Sequence, residues 1–237
     1  MNKLLIIIAS ISCLVANEKL VISVVVPCDY KHFQYVGSLL THYSKQTLLP
    51  DEVVISLSRS AELSEETIKK VENYSWPFRL LVIKNPKRKP SGANRNIAGV
   101  HASGELLIYQ DADDIPHPQR VEIIKYFYEK YHFDHLIHSY QFSGNSFSLY
   151  QSPGQIFPYG HSAGRIMITA PIHAFPLHFG NCAIQKRVLD KIKWGLEYGE
   201  DWLFAQEVYR QFNNCIILQA SLITYCSELT VYKTGWQ

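Results

Sequence analysis

Apolar positions along residues 20–131 recur in two alternating registers. Short β-branched runs at 21–26, 52–57 and 79–83, and a leucine-rich run at 105–110, read as buried strands. Between them, stretches at 33–43, 64–73, 92–101 and 118–131 space their apolar side chains three and four residues apart, which predicts helices with one buried face. Strands regularly separated by helices predict an α/β fold, a mostly parallel central sheet covered on both faces. Ligands of such sheets sit outside the carboxyl ends of the strands, so the residues that follow each strand are the first places to look for chemistry.

From about residue 135 this regularity fails. Residues 144–180 are rich in Gly and Pro, include His161, His173 and His178, and show no period, which predicts a long loop over the site. Order returns over 182–192. Gly199-Glu200-Asp201 then opens a helix through Trp202, Ala205, Val208 and Tyr209, and strand-like stretches at 215–218 and 222–225 follow. No internal repeat, low-complexity tract or linker interrupts the pattern, so a single domain over residues 20–237 is expected.

The first residues differ from the rest. Lys3 precedes an apolar or small run over 4–15, then Ala16 and Asn17-Glu18-Lys19. That order of basic, apolar and small-then-polar segments predicts a signal peptide or N-terminal anchor over residues 1–16, and with it export, a secretory lumen or attachment to a membrane; without it the expectation is the cytoplasm. The run is shorter than the roughly 20 residues of a comfortable membrane span.

Composition narrows the function mainly by exclusion. The 23 Lys and Arg nearly balance 21 Asp and Glu, so no global field favours nucleic acid. At 237 residues and 47% apolar, the chain suffices for one substantial core. Cys28, Cys182, Cys215 and Cys226 match no zinc spacing; an even number outside the leader permits disulfides without specifying a pairing. Asn73-Tyr74-Ser75 is an N-glycosylation sequon.

The sharpest chemical signal is a buried-type strand that runs straight into Asp111-Ala112-Asp113-Asp114. Adjacent carboxylates repel one another unless a cation offsets them, and hard oxygen donors at a strand end suit Mg²⁺ or Mn²⁺ together with a diphosphate. A calcium loop with Glu122 at its twelfth place is excluded, because Ile115 and Pro116 stand where a ligand and the turn glycine belong. Asp114 is expected to cap the following helix. Upstream, Pro90-Ser91-Gly92-Ala93-Asn94-Arg95-Asn96 begins a helix with small residues, where backbone N–H groups and the Arg95 guanidinium suit a phosphate or a neighbouring ribose. Downstream, Glu200 and Asp201 begin a helix whose dipole favours negative charge. Helix capping and a role as general base are equally open there.

Taken together, these segments resemble the family 2 glycosyltransferases of the GT-A fold over roughly residues 22–225. The resemblance rests on Ile22-Ser23-Val24-Val25-Val26-Pro27, on Gly92-Ala93-Asn94-Arg95-Asn96 with Gly99, on Gly104-Glu105-Leu106-Leu107-Ile108 leading to Asp111-Ala112-Asp113-Asp114, and on Gly180-Asn181-Cys182-Ala183 followed by Glu200-Asp201. It implies a Rossmann-like GT-A sheet with a smaller antiparallel portion on the acceptor side. It also implies metal-dependent, inverting transfer from a nucleotide-diphosphate sugar to a glycan, lipid or protein acceptor. By the same resemblance Pro27 borders the nucleotide pocket, Asp111 serves the ribose and metal side, Asp113 coordinates the metal, and Asp201 is the base, with Glu200 beside it.

Two departures qualify the resemblance. The second strand carries no carboxylate over Val54-Ile55-Ser56-Leu57-Ser58-Arg59-Ser60, where the family reads uracil, so UDP is not implied; Ser56 and Ser58 are left to meet the base and Arg59 a phosphate. Near the C-terminus, where relatives offer a metal-binding His, only Glu228 is available. The chain also lacks the Gln-x-x-Arg-Trp signature and the spanning helices of processive synthases, which implies single transfers. The rival reading from another class is a catalytically inactive GT-A domain that binds carbohydrate or a protein partner. A nucleotidyltransferase is disfavoured by the absence of a Gly-rich phosphate loop from Val26-Pro27-Cys28-Asp29-Tyr30.

Overall fold

The computed structural model describes residues 19–156, 158–163 and 177–226. The expected leader, His173 and Glu228 lie outside them. Strands β1 (Ile22–Asp29), β2 (Glu52–Ser58), β3 (Arg79–Asn85) and β4 (Leu106–Tyr109) alternate with helices α1 (Phe33–Ser44), α2 (Glu65–Glu72) and α3 (Ser91–His101). These strands lie parallel in the order β3-β2-β1-β4. The chain therefore moves outward from β1 to β3 and then returns to the other side of β1.

Period-two alternation divides the side chains of these strands between two cores. Val24 and Val26 of β1, Val53, Ile55 and Leu57 of β2, and Leu106 and Ile108 of β4 face one, with α1, α2 and α4 (Arg120–Tyr131). Val25, Val54, Leu107 and Tyr109 face the other, with α3, α5 (Lys186–Lys191) and α6 (Glu200–Gln211). Burial on both faces is why these strands read as continuous apolar runs.

The irregular half adds β5 (Ile115–Pro116), β6 (His135–Phe142), β7 (Pro158–Ala163), β8 (Leu177–Gln185) and β9 (Asn214–Tyr225). The nine-stranded sheet runs β3-β2-β1-β4-β8-β6-β9-β5, with β7 also paired to β9. Strand β8 is antiparallel to β4 and β6, and β9 is antiparallel to β5 and β7 while parallel to β6. The expected loop over 144–180 is thus partly sheet: β7 and the first residues of β8 fall within it. The two strand-like stretches near the C-terminus are one strand, β9, and β6 begins where the helical pattern fails. One further expectation needs correction, and one question left open is answered. Asp114 caps no helix, since α4 starts at Arg120 with Gln119 at its N-cap. Cys28, Cys182, Cys215 and Cys226 are all free thiols, buried in the cores.

Among the described residues, no helix is long and apolar enough to cross a membrane.

Candidate active site

A cleft of about 300 Å³ opens at the carboxyl ends of β1 and β4, where the strand order reverses and doubly wound sheets hold ligands. Pro27 and Asp29 from the end of β1, Asn94 and Arg95 from the first turns of α3, and Asp111 and Asp113 from the turn after β4 line it. The opposite ends of the strands are structural. There the buried Glu52 accepts from Ser23 Oγ (2.6 Å) and Arg79 Nη1 (2.8 Å), tying β1, β2 and β3 together.

The acidic turn is held by Asn181 of β8. Its Oδ1 accepts from the Asp111 backbone N–H (2.7 Å), and its Nδ2 donates to Asp114 Oδ2 (2.7 Å) and, at 3.4 Å, to Asp111 Oδ2. Asp114 Oδ1 accepts from the Cys226 backbone N–H (3.1 Å), so both oxygens of this buried carboxylate already have protein donors. Asp111 Oδ1 accepts from Arg95 Nη2 (2.9 Å). Burial raises all three carboxyl pKa values. Arg95 and His178 outweigh it at Asp111, which lies below its ordinary value. Burial reinforced by the Asp111 charge leaves Asp113 raised and Asp114 raised well above theirs. The turn is electrostatically loaded, with Asp111 the member held ionised.

Asp111, Asp114 and His178 each bring a ligand atom within 4.8 Å of the others. His178 is nevertheless not ready to ligate through the nitrogen that faces the acids. Its Nδ1 accepts from the Asn181 backbone N–H (3.1 Å), so the proton of the neutral ring lies on Nε2, 3.9 Å from Asp111 Oδ2 and 3.8 Å from Asp114 Oδ2. Tyr225, tilted, and Tyr140, edge-on, pack against the ring with centroids 5.5 and 5.9 Å away. Asp111 Oδ2 is the least engaged oxygen of the buried set, and Asp113, on the cleft wall, is half-exposed. Oxygen donors of this kind fit a hard divalent cation, with His178 and Asp114 as the support behind them.

The Arg95-Asn96 pair has a role that its position in the first turns of a helix does not reveal. Arg95 is 4% exposed; its guanidinium bridges Asp111 and Glu200, with Nη1 donating to Glu200 Oε1 at 2.7 Å, and it lies over the Trp194 ring at 4.9 Å. A side chain at position 180 would put its Cβ 2.6 Å from Arg95 Nη2, so Gly180 makes room for the bridge. Asn96 donates to Trp194 O and accepts from Trp194 N, both at 3.0 Å, pinning the segment that leads into α6. Arg95 is therefore not a freely solvated phosphate ligand. It couples the acidic turn to the start of α6. Asp201, next along α6, accepts through Oδ1 from the Trp202 backbone N–H (2.8 Å) and is half-buried.

Ser56 and Ser58 do not face the cleft. Both are fully buried: Ser56 Oγ donates to Asn94 Oδ1 (2.9 Å) and accepts from Asn85 Nδ2 (3.0 Å), and Ser58 Oγ donates to Asp29 Oδ2 (3.0 Å). The reason is the parallel register, which sets Asp29 directly beside Ser58. The carboxylate missing from the second strand is thus present at the same corner, supplied by Asp29 of β1. Arg59, in a left-handed conformation (φ 53°), forks onto it with Nε and Nη2 at 3.0 and 2.6 Å. Burial raises the Asp29 pKa, and its bonds from Arg59, Lys31 N and Ser58 more than offset that, leaving it below its ordinary value.

The sequence placed His178 in a loop over the site, but its place beside the acids, Tyr225 and the holding roles of Asn181 and Asn96 were not legible there. Only the polar Asn181 inside an apolar strand, between Gly180 and Cys182, was a visible signal.

The sequence profile described as "Glycosyl transferase family 2" matches residues 23–193. No curated protein matches the chain in sequence. Among solved structures, TarS 1–349 of S. aureus in complex with UDP superposes with a TM-score of 0.68 at 22% identity, covering 87% of this chain and 60% of that one. The same protein in complex with UDP-GlcNAc gives 0.69 at 21% identity, covering 88% and 59%. The mannosyltransferase PcManGT of Pyrobaculum calidifontis in complex with GDP-Man and Mn²⁺ gives 0.61 at 16% identity, covering 91% and 59%. At these identities the likeness establishes the fold, which is GT-A. The chain spans about 60% of the length of these neighbours.

Proposed function

We propose that this chain, which belongs to glycosyl transferase family 2 and is a glycosyltransferase, moves one sugar at a time, with inversion, from a nucleotide-diphosphate sugar to an acceptor hydroxyl. The observation that carries the reading is the Asp111–Arg95–Glu200 bridge. It joins an acidic turn suited to a diphosphate-bound cation with a helix start that bears a second carboxylate. The neighbouring structures hold UDP, UDP-GlcNAc or GDP-Man, which supports a nucleotide-sugar donor without selecting its base.

Asp111 and Asp113 are the residues that would hold a Mn²⁺ or Mg²⁺ ion; when bound, such an ion offsets the charge that gathers on the departing diphosphate. Asn181 keeps Asp111 in place, and Arg95 keeps it ionised. Pro27 and Asp29 form the nucleotide side of the cleft. Glu200 is committed to Arg95, so its role is to position α6, and Asp201 is the general base. Its carboxylate takes the proton of the acceptor hydroxyl while that oxygen bonds to the anomeric carbon from the face opposite the diphosphate. The bond from carbon to the diphosphate oxygen breaks, and its electron pair leaves with the nucleotide.

A thermal-shift panel of UDP- and GDP-sugars with Mn²⁺ names the donor, and release of the nucleoside diphosphate then follows turnover. Asp201→Asn is expected to lower kcat by about 10³-fold or more while donor binding persists. Undiminished turnover in that variant removes the base assignment. Donor binding without turnover in the unaltered protein, across glycan, lipid and peptide acceptors, favours instead a carbohydrate-binding module.

A further inference from the structure

Beneath the acidic turn lies a second buried arginine whose surroundings differ from those of Arg95. Arg120, the first residue of α4, is 0% exposed. Its Nη1 donates to Gln110 Oε1 (2.6 Å) and Tyr43 Oη (3.0 Å). Its Nη2 donates to the Tyr109 carbonyl (2.9 Å), to His138 Nε2 (3.0 Å) and to the Asn181 carbonyl (3.2 Å). Every acceptor is neutral. His138 is neutral as well, because burial and the Arg120 charge hold its pKa well below the ordinary value against the opposing pull of the Ser139 carbonyl, which takes the Nδ1 proton at 2.9 Å and leaves Nε2 to accept. An arginine stays protonated in a protein, and a buried cation without an anion nearby is strongly destabilising.

The anions lie one residue further on. Gln110, whose Oε1 meets Arg120, donates through Nε2 to the backbone carbonyls of Asp111 (3.0 Å) and Asp114 (3.1 Å). Asn181, whose carbonyl meets Arg120, donates through its side chain to the carboxylates of both. The guanidinium is thus joined to the acidic turn on two sides through neutral amides.

We propose that Arg120 is a positioning residue of the cation site, a fixed buried charge balanced by the Asp111–Asp114 carboxylates, which steadies them in the metal-free protein and restrains their affinity for a divalent cation. The inference rests on the reading that this turn binds such a cation. It explains why three acids can follow one strand and still fold before any metal arrives, and why Arg120 makes its contacts through amides. A carboxylate in direct contact would cancel the charge locally, whereas a neutral shell lets it act on the acids beyond.

The test is a Mn²⁺ titration of the full protein without donor or acceptor, free Mn²⁺ being counted by electron paramagnetic resonance, with melting temperatures taken in EDTA and in Mn²⁺. Arg120→Gln, which removes the charge and leaves one amide donor, is expected to bind Mn²⁺ about tenfold more tightly. Its melting temperature should fall more in EDTA than in Mn²⁺. Gln110→Glu gives Arg120 a carboxylate at an atom it already meets but loses the two Nε2 bonds to the turn; it should bind Mn²⁺ more tightly than Gln110→Met, which loses the same bonds and adds no charge, even if Arg120→Gln does not fold. Arg120→Lys should melt lower than the parent but bind Mn²⁺ within about twofold of it, since its charge is retained. Unchanged or weakened Mn²⁺ binding in both charge-altering variants, Gln110→Glu being read against Gln110→Met, overturns the proposal and leaves Arg120 a purely structural residue. Absence of any Mn²⁺ response in the unaltered protein instead removes the cation reading on which the proposal stands.

Discussion

Strands β1 to β4 and strands β6, β8 and β9 share one sheet but reach it in different ways. In the first group each strand follows its predecessor through a helix, all run parallel, and the registers of β1, β2 and β3 continue without a break. In the second, β6 lies between β8 and β9, antiparallel to one and parallel to the other, with shifted registers on both sides. The two groups also contribute differently to the site. The first supplies Pro27, Asp29, Asp111 and Asp113 at fixed strand ends. The second supplies Asn181, His178 and Tyr225, which orient what the first provides. A regular scaffold presents the chemistry, and an irregular one decides which oxygens remain open.

The largest effect that probes this division is expected where the groups meet. Gly92 in the first turn of α3 lies against the Gly195 segment, and a Cβ there would come within 1.8 Å of Gly195 O, backbone against backbone. Gly92→Ala is therefore expected to destabilise the protein by about 3 kcal/mol in denaturant unfolding, and to weaken the Arg95–Glu200 bridge beside it. A loss below about 0.5 kcal/mol, within the range of ordinary surface substitutions, would mean that the two groups are joined more loosely than the contact indicates.

A smaller effect should isolate the second group. His135 of β6 is fully buried against Phe204 and Tyr209, and neither ring nitrogen has a hydrogen-bond partner among the described residues. Burial drives its pKa down to about 3. The unfolded chain takes up a proton near pH 6.5 while the native state resists, so the stability is complete above pH 6.5 and is lost as pH falls from there towards 3. This single group accounts for up to about 2 kcal/mol by pH 5. His135→Phe should flatten that part of the acid limb in pH-dependent unfolding. An unaltered limb assigns the acid sensitivity elsewhere.

The smallest effect belongs to the first group. Ser64 caps α2 through a bond from Thr67 N to its Oγ (3.1 Å), an exposed and local contact. Ser64→Ala should lower stability by about 1 kcal/mol and leave turnover unchanged. A change in donor affinity would show that α2 is coupled to the cleft after all.

Legibility in the sequence follows the same division. The β-branched runs before Pro27 and before Ser58, and the leucine run before Asp111, specify their strands and helices locally, so the parallel sheet and the acidic turn could be read directly. The segment over 135–185 could not be. Strand β6 includes His135 and His138, polar residues buried because Phe204 and Tyr209 of α6 cover the first and Arg120 meets the second, and no local pattern announces partners this far along the chain. Ser56 and Ser58 misled for a related reason: the resemblance left them to meet the base where the second strand lacks a carboxylate, while register turned them towards Asn94 and Asp29.

The order of residue types along the chain determined by itself an α/β sheet, three acids at the end of its fourth strand and a later pair of carboxylates at a helix start, because periodicity and strand-end placement are local properties. Only the tertiary structure decided that Asp114 is sealed by Asn181 and Cys226, that Glu200 answers to Arg95, and that Arg120 sits beneath the acids without a carboxylate of its own. Which charge meets which depends on segments separated by up to 105 residues in the chain, and their approach is set by how the two cores pack.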